Sequence, residues 1–162
     1  MAGVVVGLHV NPNGGVPKWP QSSLDITGSG CVGDRQNDTR HHGGPNRAVC
    51  LMKQSVLQAL QEEGHPIGPG TTGENILIGG IDDVVLGAET VLSIGSVRLQ
   101  LTGDAPPCKT IRASFSEGAF TALSHKRNQE RTRWYARVLT PGTVEIGDDV
   151  AVVSEDGPVG NP

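Results

Sequence analysis

The stretch TVLSIGSVRLQLT at residues 90–102 carries the clearest indication of the fold. Two apolar-rich runs flank a Gly-Ser connection at residues 95–96, and two-residue connections of this kind are typical of tight β-hairpins. In the second run Val97, Leu99 and Leu101 alternate with polar residues, which is the period of a strand with one buried face. The stretch therefore predicts an antiparallel hairpin.

Further strand patterns lie on both sides of the hairpin. The chain contains 23 Gly and 11 Pro, and aromatic residues make up 3% of it, which is typical of short strands joined by tight turns. Apolar runs bounded by such turn residues mark the other strands. The predicted strands are residues 4–10, 23–27, 47–52, 76–78 and a strand–turn–strand over 133–153.

Two segments have helical spacing instead. In residues 53–64, Val56, Leu57 and Leu60 share one helical face, and a glycine follows as a C-terminal stop. Residues 114–129 carry apolar side chains at roughly helical spacing and predict a second helix. Because the strands cluster without regular strand–helix alternation, we expect a mostly β (α+β) fold, an antiparallel β-barrel with peripheral helices.

Length, charge and cysteine count limit the classes of protein. The 162 residues suit a single domain, which we expect over residues 1–153, with a disordered tail at 154–162. A net charge of −4 argues against a nucleic-acid partner. The chain lacks an apolar run of about 18 residues and a basic signal segment, so we expect no membrane partner. Three cysteines without framework spacing favour the reducing cytoplasm.

Residues 28–46 form a long polar, glycine-rich stretch. Gly28, Gly30 and Gly33 match G-x-G-x-x-G, but a dinucleotide site needs a helix directly after the glycines and an acid about 20 residues on. The following segment DRQNDTRHHGG has a sequence that does not favour a helix. We therefore interpret these glycines as residues that adopt positive φ in an irregular loop.

Charged residues of the same stretch suit an anionic ligand. Arg with exposed backbone N–H groups binds phosphate well. The charged and histidine residues that lie close together here are Asp34, Arg35, Arg40, His41, His42 and Arg47. A solvated loop held by Asp–Arg pairs is an equally good interpretation of this composition. Neither a C-x-x-C pair nor an H-E-x-x-H motif accompanies the histidines and cysteines, so a zinc site is not favoured.

Cys108 lies in TGDAPPCKT, residues 102–110, just past the end of the predicted hairpin. Pro106 and Pro107 stiffen the approach to it and remove two backbone donors. Lys109 favours the thiolate, which is both a nucleophile and a soft-metal ligand. The alternative is a small buried thiol that closes the end of the barrel, which is the commoner role of a free cysteine.

The predicted strand that begins RWYAR places two arginines and a tyrosine on one face. Strand alternation puts Arg133, Tyr135 and Arg137 together, with Trp134 and Ala136 on the opposite face. Such a face suits an anionic or aromatic ligand. The commoner outcome is a tryptophan in the core with the arginines on the surface.

The ordered segments of this chain resemble the MOSC domain, named for the molybdenum-cofactor sulfurase C-terminal domain. The similarity runs over residues 3–152 and is to the small stand-alone bacterial, YiiM-like members. It implies a β-barrel like the barrel domain of pyruvate kinase. The segments that carry it are CVGDRQNDTRHHGGPNRAVCL, GENILIGG, IGSVRLQL leading into PPCKTI, and RWYARVLTPGTVEIGDDV.

The resemblance implies a molybdenum cofactor and a set of residues that hold it. Cys108 takes the place of the family's cysteine, whose thiolate ligates molybdenum, which makes it the expected metal ligand and catalytic residue. The other residues that match family motifs are expected to line one cleft with this cysteine at its floor, and the cofactor phosphate calls for a basic side chain. The motif residues are Asp34, Arg35, His42, Gly43, Glu74 and Asn75, and the basic candidates are Arg35, Arg47, Lys109 and Arg137.

The resemblance implies an oxidoreductase that acts on N-hydroxylated or similar N-oxygenated small molecules. Because the chain carries no flavin motif, electrons are expected from separate donor proteins. Three alternatives stay open: a sulfur carrier or sulfur-transfer protein with a persulfide on Cys108, a non-catalytic module that binds a cofactor or anion, and a cysteine hydrolase using His42 as base.

Overall fold

The computed structural model of the protein describes residues 3–34, 45–107, 109–126, 128 and 130–153. The tail expected at residues 154–162 lies outside this range. Among the described residues no helix is both long enough and apolar enough to cross a membrane.

The described residues form eleven strands and one α-helix, together with four short 3-10 helices. The strands are β1 Gly3–Val10, β2 Trp19–Pro20, β3 Ser23–Thr27, β4 Gly30–Cys31, β5 Val49–Lys53, β6 Ile76–Gly79, β7 Val91–Ile94, β8 Val97–Ala105, β9 Arg133–Thr140, β10 Gly142–Glu145 and β11 Asp149–Val153. The α-helix α1 is Gln54–Glu62, and the 3-10 helices are Pro45–Arg47, Lys109–Ser114, Ser116–Gly118 and Phe120–Ala122.

Seven strands close into a barrel in the order β11-β7-β8-β9-β5-β6-β1, and β1 pairs with β11 to complete the ring. All neighbours in the ring are antiparallel except β5 and β6, which are parallel. Strand β2 pairs antiparallel with the end of β1. A separate small sheet is formed by β10, β3 and β4. The predicted mostly β barrel is therefore confirmed.

The predicted hairpin builds one wall of the barrel. Leu92 pairs with Leu99 and Ile94 with Val97, and all four side chains are fully buried in the barrel interior. Burying a side chain of this size stabilises a fold by about 1.5–3 kcal/mol, so the period-2 pattern selects the register strongly.

The first predicted helix is confirmed as α1, which makes the crossover between the parallel strands β5 and β6. Its buried face, formed by Val56, Leu57 and Leu60, packs outside the barrel wall against Met52 and Leu77. Parallel pairing needs such a crossover, because a tight turn reverses the chain direction.

The second predicted helix, at residues 114–129, is wrong. The segment contains short 3-10 helices, and both Glu117 and Gly118 have left-handed backbones, with φ of 55° and 71°. A left-handed residue ends a right-handed helix, so the helical spacing is not continued. Phe115 and Leu123 are instead buried separately in the cluster that also contains the apolar face of α1.

The strand–turn–strand predicted over residues 133–153 is present only in part, because its first strand is β9 but its second is divided into β10 and β11 by a turn after Glu145. Strand β10 pairs with β3 in the small sheet. Strand β11 pairs with β7 and β1 and closes the barrel. The final strand therefore connects the first strand of the chain to the central hairpin.

Candidate functional site

A cleft of about 440 Å³ lies along the outer face of β8 and β9. The face is the outer one because the alternating residues Leu99, Leu101, Trp134 and Ala136 belong to the barrel core. The cleft is bounded by both strands, by the 3-10 helix that precedes β5 and by the segment before β7. Its lining residues are Asn46, Arg47, Glu89, Thr102, Gly103, Asp104, Tyr135 and Arg137.

An irregularity in β8 shapes the floor of this cleft. Leu101 pairs with Ala136 but Gly103 pairs with Tyr135, so Thr102 is an extra residue in the ladder. Bulges of this kind redirect side chains and are frequent beside active sites. The Thr102 hydroxyl donates a hydrogen bond to the carbonyl oxygen of Asn46 over 2.5 Å, which joins β8 to the 3-10 helix Pro45–Arg47.

Two arginines predicted to bind the cofactor phosphate meet in this cleft. The guanidinium carbon of Arg47 lies 5.5 Å from the centre of the Tyr135 ring, which is a cation–π distance. Arg137 donates from Nε and Nη2 to Gln100 Oε1 over 2.8 and 2.5 Å. Both arginines are exposed to solvent at the cleft.

The same cleft carries two carboxylates. Glu89 has a left-handed backbone with φ of 76°, which is a strained conformation for a residue other than glycine. Its carbonyl and carboxylate oxygens accept from Gln100 Nε2 over 3.2 and 3.3 Å, so Gln100 bridges Glu89 and Arg137. With Asp104 also present, the cleft offers cations and hydrogen-bond acceptors, which suit a ligand that has both an anionic group and N–H donors.

Asp34 does not line this cleft. Its Oδ2 accepts from Lys18 Nζ over 2.5 Å and from Asn75 Nδ2 over 2.9 Å, and its Oδ1 accepts from the backbone N–H of Asn11 over 2.9 Å. The Asp34 and Lys18 side chains are only 5% and 6% exposed. The carboxylate therefore joins the end of β4 to the segment between β1 and β2.

Glu74 and Asn75 are also turned inward, and both are fully buried. The Glu74 carboxylate accepts from the Gly70 N–H over 2.6 Å and from the Thr72 hydroxyl over 2.9 Å. Asn75 Oδ1 accepts from the Cys50 N–H over 3.0 Å, while Nδ2 donates to the His9 carbonyl over 3.1 Å. These contacts organise the turn before β6 and leave the two side chains away from the cleft.

His9 borders this buried network. Its Nδ1 lies 4.0 Å from Glu74 Oε2 and has no hydrogen-bond partner among the residues that the structure describes. Burial lowers the pKa of His9, and the nearby Glu74 carboxylate opposes that shift only in part. The imidazole is therefore held in its neutral form at neutral pH.

Arg133 is buried, although an arginine in such a strand more commonly lies on the surface. The expectation that the arginines of this strand face solvent is confirmed for Arg137, but Arg133 is only 4% exposed. Its guanidinium donates to the carbonyl oxygens of Thr72, Ala105 and Pro106 over 2.7, 3.3 and 2.9 Å. The pattern RWYAR predicts that Arg133 shares a face with Tyr135 and Arg137. It does not predict that other segments of the chain bury the Arg133 end of that face. Trp134 lies in the core as expected.

Several predicted site residues lie outside the described part of the chain. They are Arg35, His42, Gly43 and Cys108, whose roles stay predictions. Lys109 is exposed at the start of the 3-10 helix Lys109–Ser114.

The two cysteines that the structure describes are buried and free. Burial raises the pKa of Cys31 to about 12 and that of Cys50 to about 11. In Cys50 the nearby Arg133 opposes the shift, and Glu74 adds to it. Both thiols are therefore neutral at physiological pH and are poor ligands or nucleophiles.

Comparison with known proteins agrees with this architecture. The model of the MOSC domain family matches residues 38–151, which is more than half of the chain. YflK of Bacillus subtilis (strain 168), an uncharacterized protein, is 25% identical over 142 residues, covering 86% of this chain and 63% of that protein. Protein YiiM of Escherichia coli (strain K12) is 24% identical over 135 residues, covering 81% of this chain and 59% of that protein. The chain thus spans less than two thirds of the length of these relatives.

Solved structures share the fold. The crystal structure of YiiM from Escherichia coli matches with a TM-score of 0.71 and 21% identity, covering 98% of this chain and 73% of the other. The YUAD protein from Bacillus subtilis matches with a TM-score of 0.75 and 18% identity, covering 93% and 94% of the two chains. These similarities concern the barrel and its topology.

Proposed function

The chain belongs to the MOSC domain family, and from this premise we propose that it binds a molybdenum cofactor through Cys108 and reduces N-hydroxylated or similar N-oxygenated small molecules. The observation that carries the proposal is the cleft along β8 and β9, which contains Arg47, Asp104, Tyr135 and Arg137. The strand that supplies Asp104 runs directly into Pro106, Pro107 and then Cys108 in the sequence.

The residues of the cleft fit the organic part of such a cofactor. A pterin with a phosphate has an anionic end and a ring edge that carries N–H donors. Arg47 and Arg137 suit the phosphate, because guanidinium groups make charge-assisted hydrogen bonds to its oxygens. The carboxylates of Asp104 and Glu89 suit the N–H donors. The Tyr135 ring is only 5% exposed and lies behind the Arg47 guanidinium, which it supports by a cation–π contact.

When bound, the cofactor supplies a redox-active metal. The chain's own residues have simpler roles. Cys108 loses its proton and offers a thiolate, which is the form that binds a soft metal. Arg47 and Arg137 hold the anionic group and thereby fix the orientation of the ligand. We propose separate donor proteins as the source of the electrons.

Elemental analysis for molybdenum tests the proposal directly. The protein is expressed in a cofactor-competent host as the wild type, as Cys108→Ala and as Cys31→Ala. Cys31 is the matched control, because its buried thiol has a pKa of about 12 and cannot supply a thiolate at neutral pH.

We expect wild type and Cys31→Ala to hold comparable molybdenum and Cys108→Ala to hold none. Full molybdenum content in Cys108→Ala would refute the role of this cysteine. Cyanide-labile sulfur on metal-free wild type that disappears in Cys108→Ala would replace the proposal with sulfur carriage.

A further inference from the structure

Arg133 joins two segments that are far apart in the sequence. Its Nη1 donates to the Thr72 carbonyl in the turn before β6, and its Nη2 donates to the carbonyls of Ala105 and Pro106 at the end of β8. The guanidinium is buried between them, with 4% of the residue exposed. Within the described part of the chain, each of these hydrogen bonds is to a backbone carbonyl oxygen.

The end of β8 needs such a contact because of its own sequence. The β8–β9 ladder ends at the pair Ala105 and Arg133. The next residues, Pro106 and Pro107, have no backbone N–H, so their carbonyl oxygens are the only backbone groups through which hydrogen bonds can hold them. The side chain of Arg133, the last residue of the ladder, therefore adds a hydrogen bond to the Pro106 carbonyl oxygen, one residue beyond the end of β8.

The other end of the contact belongs to the buried polar network. Thr72, whose carbonyl accepts from Arg133, also donates its hydroxyl to the Glu74 carboxylate over 2.9 Å. Glu74 in turn accepts from the Gly70 N–H. The motif residue Glu74 therefore does not face the cleft. It stabilises the turn whose Thr72 carbonyl oxygen accepts a hydrogen bond from Arg133.

The charge of Arg133 makes a purely space-filling role a poor explanation. Among the described residues no carboxylate forms an ion pair with it, and its Nε has no hydrogen-bond partner. Burying an unpaired cation is costly, and apolar residues of similar volume often replace buried charges at no loss of stability. What an apolar side chain cannot do is donate several hydrogen bonds from a rigid planar group.

We propose that Arg133 is the positioning residue of the candidate site, a clasp that fixes the end of β8 against the turn at residues 70–75 and so holds the chain that leads to Cys108. The geometry of the clasp stands on described contacts alone. Its relevance to a ligand rests on the proposed function.

Hydrogen exchange measured by mass spectrometry on metal-free protein tests the clasp. The variants are Arg133→Met, Arg133→Lys and the control Arg131→Met. Arg131 lies on the same segment, but its guanidinium pairs with Glu63 at the surface. The lysine variant keeps the charge without the planar fork, because one ammonium group cannot reach all three carbonyls in the same geometry.

We expect exchange in residues 103–105 and 70–75 to rise by about tenfold or more in both Arg133 variants, since charge-assisted hydrogen bonds that hold these segments are lost. Exchange in β1 and β11 should stay as in the wild type, and Arg131→Met should change neither region. If Arg133→Met does not fold, Arg133→Lys carries the same comparison. A uniform rise over the whole barrel, or no local rise in Arg133→Lys, would overturn the clasp.

Molybdenum content then separates the clasp from the proposed function. If wild type holds molybdenum, we expect Arg133→Lys to hold markedly less while Arg131→Met holds as much as wild type. Unchanged content in a locally loosened Arg133→Lys would overturn the positioning role. If wild type holds none, the proposed function fails, and the exchange result decides the clasp independently.

Discussion

Asp34→Asn is predicted to destabilise the protein by about 3–5 kcal/mol, because it removes the anion from a buried ion pair. Lys18 Nζ lies 2.5 Å from Asp34 Oδ2, and the two side chains are 6% and 5% exposed. The amide of asparagine carries no charge to balance the ammonium group. One of the two hydrogen bonds that Asp34 accepts from Asn11 and Asn75 also loses its acceptor.

The size of the effect is large enough to measure by thermal and urea unfolding. For a chain of this length each kcal/mol lowers Tm by about 2–4 °C, so we expect a fall of roughly 6–20 °C. Glu63→Gln is the matched control, because Glu63 pairs with Arg131 over 2.5 Å at the surface. Exposed pairs contribute little to stability, so the control should hardly move the transition.

A double-mutant cycle identifies the cause. Lys18→Met alone leaves the Asp34 carboxylate buried without its cation, while the double variant removes both charges. We expect the double variant to be less destabilised than the sum of the single variants, by on the order of 0.5–3 kcal/mol. Additive effects, or an Asp34→Asn transition no lower than that of Glu63→Gln, would refute the reasoning. Loss of molybdenum from a fully stable Asp34→Asn would instead make Asp34 a ligand-binding residue.

Three further predictions follow from individual contacts. Gly70→Ala should destabilise the protein severely, since a Cβ there would lie 2.3 Å from the Lys18 carbonyl oxygen on a backbone with φ of 79°; an unchanged urea midpoint would contradict this. The free energy of unfolding, measured by urea unfolding, should fall as pH rises from about 9 toward 12. The folded-state pKa values of Cys31 and Cys50 are raised above 9.0, so the thiols of the unfolded chain ionise first. Cys31→Ala should make this decline with pH less steep. Arg137→Met should reduce molybdenum content while Arg98→Met, at the far end of β8, should not, as elemental analysis will show; equal content in the two variants would exclude Arg137 from the cofactor site.

Local sequence patterns predicted the elements that local forces decide. The hairpin of β7 and β8 depends on a two-residue turn and on alternating side chains, both visible within about a dozen residues. The helix α1 likewise carries its apolar face and its stop within one segment. Residues 114–129 mislead because Phe115 and Leu123 are buried in the cluster that also contains the apolar face of α1, and do not form one continuous helical face.

The candidate site was predictable in part. Arg47 and Arg137 were expected near one ligand, and both line the cleft beside Tyr135. The motif residues Glu74 and Asn75 were expected to line a cleft and are instead fully buried. Whether a polar side chain faces a ligand or the interior depends on which distant backbone groups it meets, and residue type carries no such information.

The sequence alone determined the β class, the central hairpin, the crossover helix and the family resemblance, because these follow from short-range periodicity and from the order of motifs. Only the tertiary structure decided how the barrel closes, since β11 must pair with β1 from the opposite end of the chain. It also decided that Arg133 is buried between carbonyls from two distant segments while Arg137 on the same strand face remains exposed. Both outcomes depend on contacts between residues far apart in sequence, where the strand pattern is the same for a buried and an exposed end.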